Sequence, residues 1–270
     1  MNISGSILFL AISIIISFNN SFGQNNKTSP FKTDYGTEAI LLGVGAATSL
    51  ATLAIQLNLD PLTPEQIAEL DKMNVNNFDR SAIGQYQSDY LGDVLLYSSY
   101  ILPLTFLTNT EAKNDFGDLA LMYSEVLLLN IGTNGLVKGL IKRTRPYVYD
   151  QHSTLEKITN IDARLSFFSG HTSTTASNYF FTASVLNEYL TNNTTKIVVW
   201  SVAALVPAVT GFSRVNTHWH FPSDVIVGYI IGAAIGYLIP LIHKSDADDN
   251  DSLVPLDNQI KPLIGLQVNF

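Results

Sequence analysis

Apolar stretches separated by polar breaks recur along this chain. Their lengths and spacing predict helices at about Thr37 to Leu57, Tyr90 to Leu107, Phe116 to Ile141, Thr174 to Leu190, Lys196 to Gly211 and Pro222 to His243. The intervening segment Asp60 to Asp89 is polar. In it, Thr63-Pro64-Glu65-Gln66 places a cap residue before a proline suited to a first helical turn, so one or two short amphipathic helices are expected there. Pro222 suits a first turn in the same way, with Ser223 and Asp224 at the positive end of the helix dipole. No internal repeat is visible and strand signals are scarce before the tail. The pattern predicts an all-α bundle of about six core helices with additional short helices.

The two ends read differently. Ile7 to Phe18 is an apolar run followed by polar Asn19, Asn20 and Ser21, and its length suits a secretory signal better than a membrane span. Met1 to Ser6 carries no Lys or Arg, which is unusual for a signal; cleavage is expected near Gly23, and an uncleaved anchor is the alternative. The chain then divides into a signal peptide (1–23), a polar linker (24–36), a helical domain (37–243) and an acidic tail (244–270). In the tail, Ile264, Leu266, Val268 and Phe270 alternate with Gly265, Gln267 and Asn269, a period of two. One strand cannot close a barrel, so a packed or frayed terminus is expected.

Composition narrows the class. Of 270 residues, 46% are hydrophobic and 14% charged, which is rich for a soluble domain. A net charge of -8 with only 15 Lys plus Arg argues against nucleic acid, whose phosphate backbone demands a basic face. The absence of cysteine excludes a disulfide, a thiolate nucleophile, a Cys-based zinc site and a lipid-modified N-terminal Cys.

Three clusters carry candidate chemistry: Lys138 to Pro146 (KGLIKRTRP), Phe168-Ser169-Gly170-His171, and Ser213-Arg214 followed by His220 and Asp224. Together they hold three cations, two imidazoles and a carboxylate, an inventory for handling a phosphate. Lys138 and Arg145 lie two helical turns apart and can project from one face at the end of the third helix, which Pro146 would stop. Arg145 and Arg214 offer planar forks that match phosphate oxygens. Taken alone, Lys138, Lys142, Arg143 and Arg145 read as a basic helix end complementing the dipole. Ser169-Gly170-His171 falls before the fourth helix, with Thr172, Ser173 and Thr174 as cap material, so its free amides form an anion site; alone it reads as a glycine turn with a structural histidine. His220 and Asp224 are four apart, so the carboxylate can hold one ring nitrogen and leave the other free to attack. With His218 they also read as metal ligands, a reading that Arg214 beside them disfavours.

The order and spacing of the clusters resemble the type 2 phosphatidic acid phosphatase (PAP2) superfamily, whose pattern is Lys, six residues, Arg-Pro, then Pro-Ser-Gly-His, then Ser-Arg, five residues, His, three residues, Asp. This chain departs from it only at Phe168, where the family usually has Pro. The resemblance extends over about Thr37 to His243 and implies a metal-independent, cofactor-free phosphatase acting on a phosphorylated lipid or small phosphomonoester. It implies that His220 attacks phosphorus, Asp224 supports its imidazole, and His171 protonates the leaving oxygen and then activates water. Lys138, Arg145, Ser169, Gly170 and Arg214 would hold the equatorial oxygens. The superfamily's site can also hold vanadate, so a vanadium haloperoxidase is an alternative; a non-catalytic phosphate-binding protein is another.

Membrane members of this superfamily have six transmembrane helices, and six apolar stretches are present. If the first three all cross from an exported N-terminus, Lys138 lies in the cytoplasm, so a periplasmic site requires that at least one does not span. Asp93, Glu125, Asn130, Asn134, Asn178, Asn187 and Glu188 fall inside the stretches, where polar groups are costly, and a mean hydropathy of +0.19 is low for six spans. The sequence points to an exported, periplasm-facing domain that is membrane-attached or peripheral, with a multi-pass inner-membrane protein as the alternative.

Overall fold

The computed structural model describes residues 29–245. Within them all extended secondary structure is helical, beside one isolated antiparallel bridge between Phe31 and Lys244. Six long helices form the frame: α1 (Tyr35–Leu57), α2 (Tyr90–Ser99), α3 (Phe116–Ile141), α4 (Gly170–Tyr189), α5 (Asn193–Asn216) and α6 (Pro222–Ile242). The fold is all-α, as the hydrophobic pattern predicts.

Boundaries moved where local chemistry outweighed the apolar period. The second stretch breaks after Ser99 and resumes, bent by 40°, as a 3-10 helix over Leu102–Thr108; Pro103 lacks the N–H that an unbroken α-helix would use. α4 starts at Gly170 rather than Thr174, because Ser169 and not the following Thr-Ser-Thr is its N-cap, with the Ser169 hydroxyl accepting from the Thr172 amide. The polar segment folds into short pieces, Pro64–Ala68, Lys72–Asn74 and Asn77–Arg80. The first opens on a capping box in which the Thr63 hydroxyl and the Gln66 side chain each accept from the other's amide.

α3 and α4 form the middle of the bundle: α3 packs against α1, α4 and α6, and α4 against α2, α5 and α6. Small residues allow this closeness. Gly228, Gly232 and Gly236 on α6 meet the backbone of α4, and a Cβ built on Gly232 would stand 2.1 Å from the carbonyl oxygen of Ser173. Gly132 and Gly135 on α3 make the same room for Thr48 and Thr52 of α1.

The distribution of polarity differs from that of a soluble bundle. α4 buries Ser173, Thr175, Ser177 and Asn178, whereas the outer helices expose Ile40 and Leu50 on α1, Ile197 and Phe212 on α5, and Ile230 on α6. By length and composition α1, α5 and α6 can each cross a membrane, and α2 with Leu102–Thr108 makes a fourth if the bent pair is one span. Most of the polar residues counted against spanning face partners within the bundle. Asn130 donates to Thr174 Oγ1 at 2.9 Å, Asn134 to the Phe168 carbonyl at 2.9 Å and Asn178 to Ser99 Oγ at 2.8 Å. Asn187 accepts from the Trp200 indole, and Glu188 pairs with Lys244. Their composition therefore does not weigh against a membrane-embedded bundle.

Phe31, inside the segment read as a linker, is buried in the core, and the Lys32 amide donates to the His243 carbonyl at 2.8 Å, tying the start of the chain to the end of α6. The expected signal peptide and the alternating C-terminal segment lie outside the described residues. Successive core helices alternate in direction, so one end of the bundle gathers the C-termini of α1, α3 and α5, the N-termini of α2, α4 and α6, and the long polar connections.

Candidate active site

All three clusters meet at that end. Lys138 sits in the last turn of α3. The helix closes at Ile141, and Lys142 takes a left-handed conformation (φ 52°) as its C-cap, so Arg145 is not on the helix face shared with Lys138. Arg145 instead lies in extended backbone just before the 3-10 turn Pro146–Tyr149, and a loop rather than a helix aims it inward. Lys138 Nζ donates to the Leu165 carbonyl at 2.7 Å. Arg145 Nε and Nη2 donate to the backbone and side-chain oxygens of Asp162, both at 2.8 Å.

His220 lies between α5 and α6 and is almost completely buried. Its Nε2 stands 2.9 Å from Arg145 Nη1, and its Nδ1 is 3.5 Å from Asp224 Oδ2. The carboxylate therefore backs one ring nitrogen while the other faces the guanidinium. Burial, then Arg145, Lys138, Arg214 and His171, push His220 well below the ordinary histidine range, leaving a neutral imidazole. Asp224 is itself fixed from three sides: it accepts from Ser166 Oγ at 2.5 Å and from the Phe221 amide at 3.0 Å, and it pairs with Arg143.

His171 is in the first turn of α4, with Nε2 2.9 Å from Asp93 Oδ1 on α2. Burial lowers its pKa to about 4, Arg214 and Lys138 act in the same direction, and Asp93 opposes them. Lys138 is lowered to about 7, first by burial and then by Arg145. Burial alone would raise Asp162, but Arg145 and Lys138 overcome it and hold the carboxyl at about 2. Arg214, in the last turn of α5, donates to Asp89 Oδ2 at 3.1 Å. The guanidiniums of Arg145 and Arg214 lie 5.2 and 4.4 Å from the Trp219 ring centroid. Ser169 and Gly170 open α4; a Cβ on Gly170 would come within 2.9 Å of Asn134 Oδ1, so a larger residue there would push the Asn134 side chain aside.

The structure thus gathers Lys138, Arg145, Ser169, Gly170, His171, Arg214, His220 and Asp224 at one end of one bundle. His218 is not part of the group: its Nδ1 is 2.9 Å from the Ala82 carbonyl. Sequence reasoning missed the residues that hold these side chains in place, namely Asp89, Asp93, Asp162, Ser166, Trp219 and above all Arg143. Arg143 bridges Asp224 and Asp79, and its guanidinium sits 4.2 Å from the Phe221 ring centroid. It lay inside a recognised cluster, yet a basic helix end explained it equally well.

A buried, neutral histidine backed by a fixed carboxylate and ringed by cations at one end of an all-α bundle has the chemistry to hold an oxyanion. Residues 119–247, which contain every one of the clusters, match the model of the PAP2 superfamily. Among solved structures, the chain is similar to a transmembrane PAP2-type phosphatidylglycerolphosphate phosphatase from Bacillus subtilis, at 18% identity over 90% of this chain and 96% of that one, with a TM-score of 0.43. No curated protein matches the chain.

Proposed function

We propose that the protein is a membrane-embedded phosphatase that hydrolyses a lipid phosphomonoester or diphosphate through a phosphohistidine at His220. The observation that carries this reading is the pairing of a neutral His220, its Nε2 2.9 Å from Arg145 Nη1, with Asp224 behind its other nitrogen. A phosphoryl group drawn to the Arg145 guanidinium is brought onto the nitrogen lone pair that must attack it. Lys138, Arg145, Arg214 and the first amides of α4 bind the three equatorial oxygens. Fixed positive charge thereby does what a metal does in other phosphoryl-transfer sites.

In the first step a bond forms between His220 Nε2 and phosphorus as the bond to the leaving oxygen breaks, and His171 delivers a proton to that oxygen. Asp93 draws His171 toward its protonated form, the state a donor needs, and the negative charge of a bound phosphate acts in the same direction. In the second step neutral His171 takes a proton from water, the hydroxide displaces Nε2, and phosphate leaves. The Ser169 hydroxyl, which caps α4, keeps the amides of that helix aimed at the oxyanion. A lipid substrate suits the apolar outer faces of α1, α5 and α6, whose ends surround the site.

The full-length protein in detergent, assayed with excess chelator, should release phosphate from lipid phosphates more efficiently than from a small aryl phosphate. Turnover that rises with added divalent metal while the Tm stays unchanged would overturn the mechanism, and a preference for the aryl ester would overturn the lipid reading.

A further inference from the structure

At the end of the bundle away from His220, three buried side chains from three helices converge: Glu38 in the first turn of α1, Glu125 on α3 and His243 directly after α6. Along α6 from Asp224 to His243 the rise is about 28 Å, so this group is separate from the active site. One donor atom from each residue lies within 4.8 Å of the others. Glu38 Oε1 is 2.9 Å and Glu125 Oε2 is 3.4 Å from His243 Nε2.

The hydrogen bonding of the group is incomplete. The Nδ1 of His243 donates to the Ile239 carbonyl at 2.8 Å, which fixes the ring so that its Nε2 points at the two carboxylates, 2.9 Å from Glu38 Oε1. Both oxygens of Glu125, which is 0% exposed, and Oε2 of Glu38 are buried without a hydrogen-bond partner among the described residues. Unpaired carboxylates at such depth are expensive, so the cluster calls for a positive species between them. Two carboxylates and an imidazole held through its other nitrogen form a donor set typical of first-row divalent ions. Ligands about 2.1 Å from a tetrahedral ion stand about 3.4 Å apart, the separation found between Glu125 Oε2 and His243 Nε2. Asp34 and Asp118, which face the group from the start of α1 and from α3, add negative potential around it.

We propose that Glu38, Glu125 and His243 form a structural site for a divalent transition-metal ion such as zinc, clamping α1 and the end of α6 onto α3. The ion's fourth position is left to water. Where the Phe31 to Lys244 bridge already ties the chain's entry to its exit, the ion adds a second tie between the first and last core helices.

The test uses the full-length protein in detergent, stripped with chelator, dialysed, and titrated with zinc chloride and then manganese chloride by calorimetry. The expected result is one ion per chain, a higher Tm on loading, and binding weakened ~100-fold or more in Glu125→Gln and in Glu38→Gln. X-ray absorption of the zinc-loaded protein should show only nitrogen and oxygen neighbours at about 2.0 Å. No uptake by folded wild-type protein would mean that the cluster holds protons only. Uptake that both variants retain in full would place the ion elsewhere. Either result overturns the proposal, and neither bears on phosphate turnover, which the opposite end of the bundle carries out.

Discussion

At the scale of single residues, the site is a set of cationic and imidazole groups kept under tension by burial. Lys138 and His171 sit at about 7 and about 4, and His220 lies well below its ordinary range, all lowered first by desolvation. A base whose native pKa is depressed favours folding above its unfolded pKa, and that contribution is lost as pH falls toward the native value, because the unfolded chain then binds more protons. The Tm of the ligand-free protein should therefore fall from pH 8 to pH 5 more steeply than that of His171→Gln, which lacks one of these groups. Sulfate, whose charge is constant over this range, should protect more at pH 5 than at pH 8, since it binds the protonated site. Differential scanning in detergent checks both; a flat Tm with pH-independent protection would contradict the assignment of these groups to one anion site. Much of this site was legible beforehand, because Lys138, Arg145, His171, Arg214, His220 and Asp224 occur in one order at fixed spacings. Arg143, Asp93 and Asp162 were not, since their roles depend on partners far along the chain that no local spacing reveals.

At the scale of elements, the apolar period located all six core helices, but their ends were set by chemistry it does not read. Lys142 stops α3 before Arg145, Pro103 breaks the second stretch, and Ser169 starts α4 early enough to put His171 in its first turn. The glycine ladder at Gly228, Gly232 and Gly236 was present in the sequence at a spacing of four, and its meaning came from the helix it faces. Gly232→Val should cost about 1–3 kcal/mol or more, since the new side chain would collide with the Ser173 backbone. Gly43→Ala on α1, where a Cβ meets nothing within 4 Å, should be neutral or stabilise by up to about 1 kcal/mol. Thermal shifts of the two variants measured side by side check the contrast, and equal losses would contradict the close packing of α4 on α6.

At the scale of the whole molecule, polar residues share the interior with an apolar core while apolar side chains dominate the outside, with the site at one end among the polar connections. Hydropathy averaged along the chain understated this, because α3 and α4 carry their polar side chains toward partners inside the bundle rather than outward. Carbonate washing of membranes should leave the protein in the pellet; release to the supernatant would contradict embedding. The central claim is that His220 becomes phosphorylated. Rapid quenching of the enzyme with phosphate-labelled substrate into alkali should trap label that is stable to base and labile to acid, mapping to the peptide containing His220 and absent from His220→Ala, whose turnover should be lost. Label on another residue, or a His220→Ala variant that turns over within tenfold of the wild type, would contradict the account.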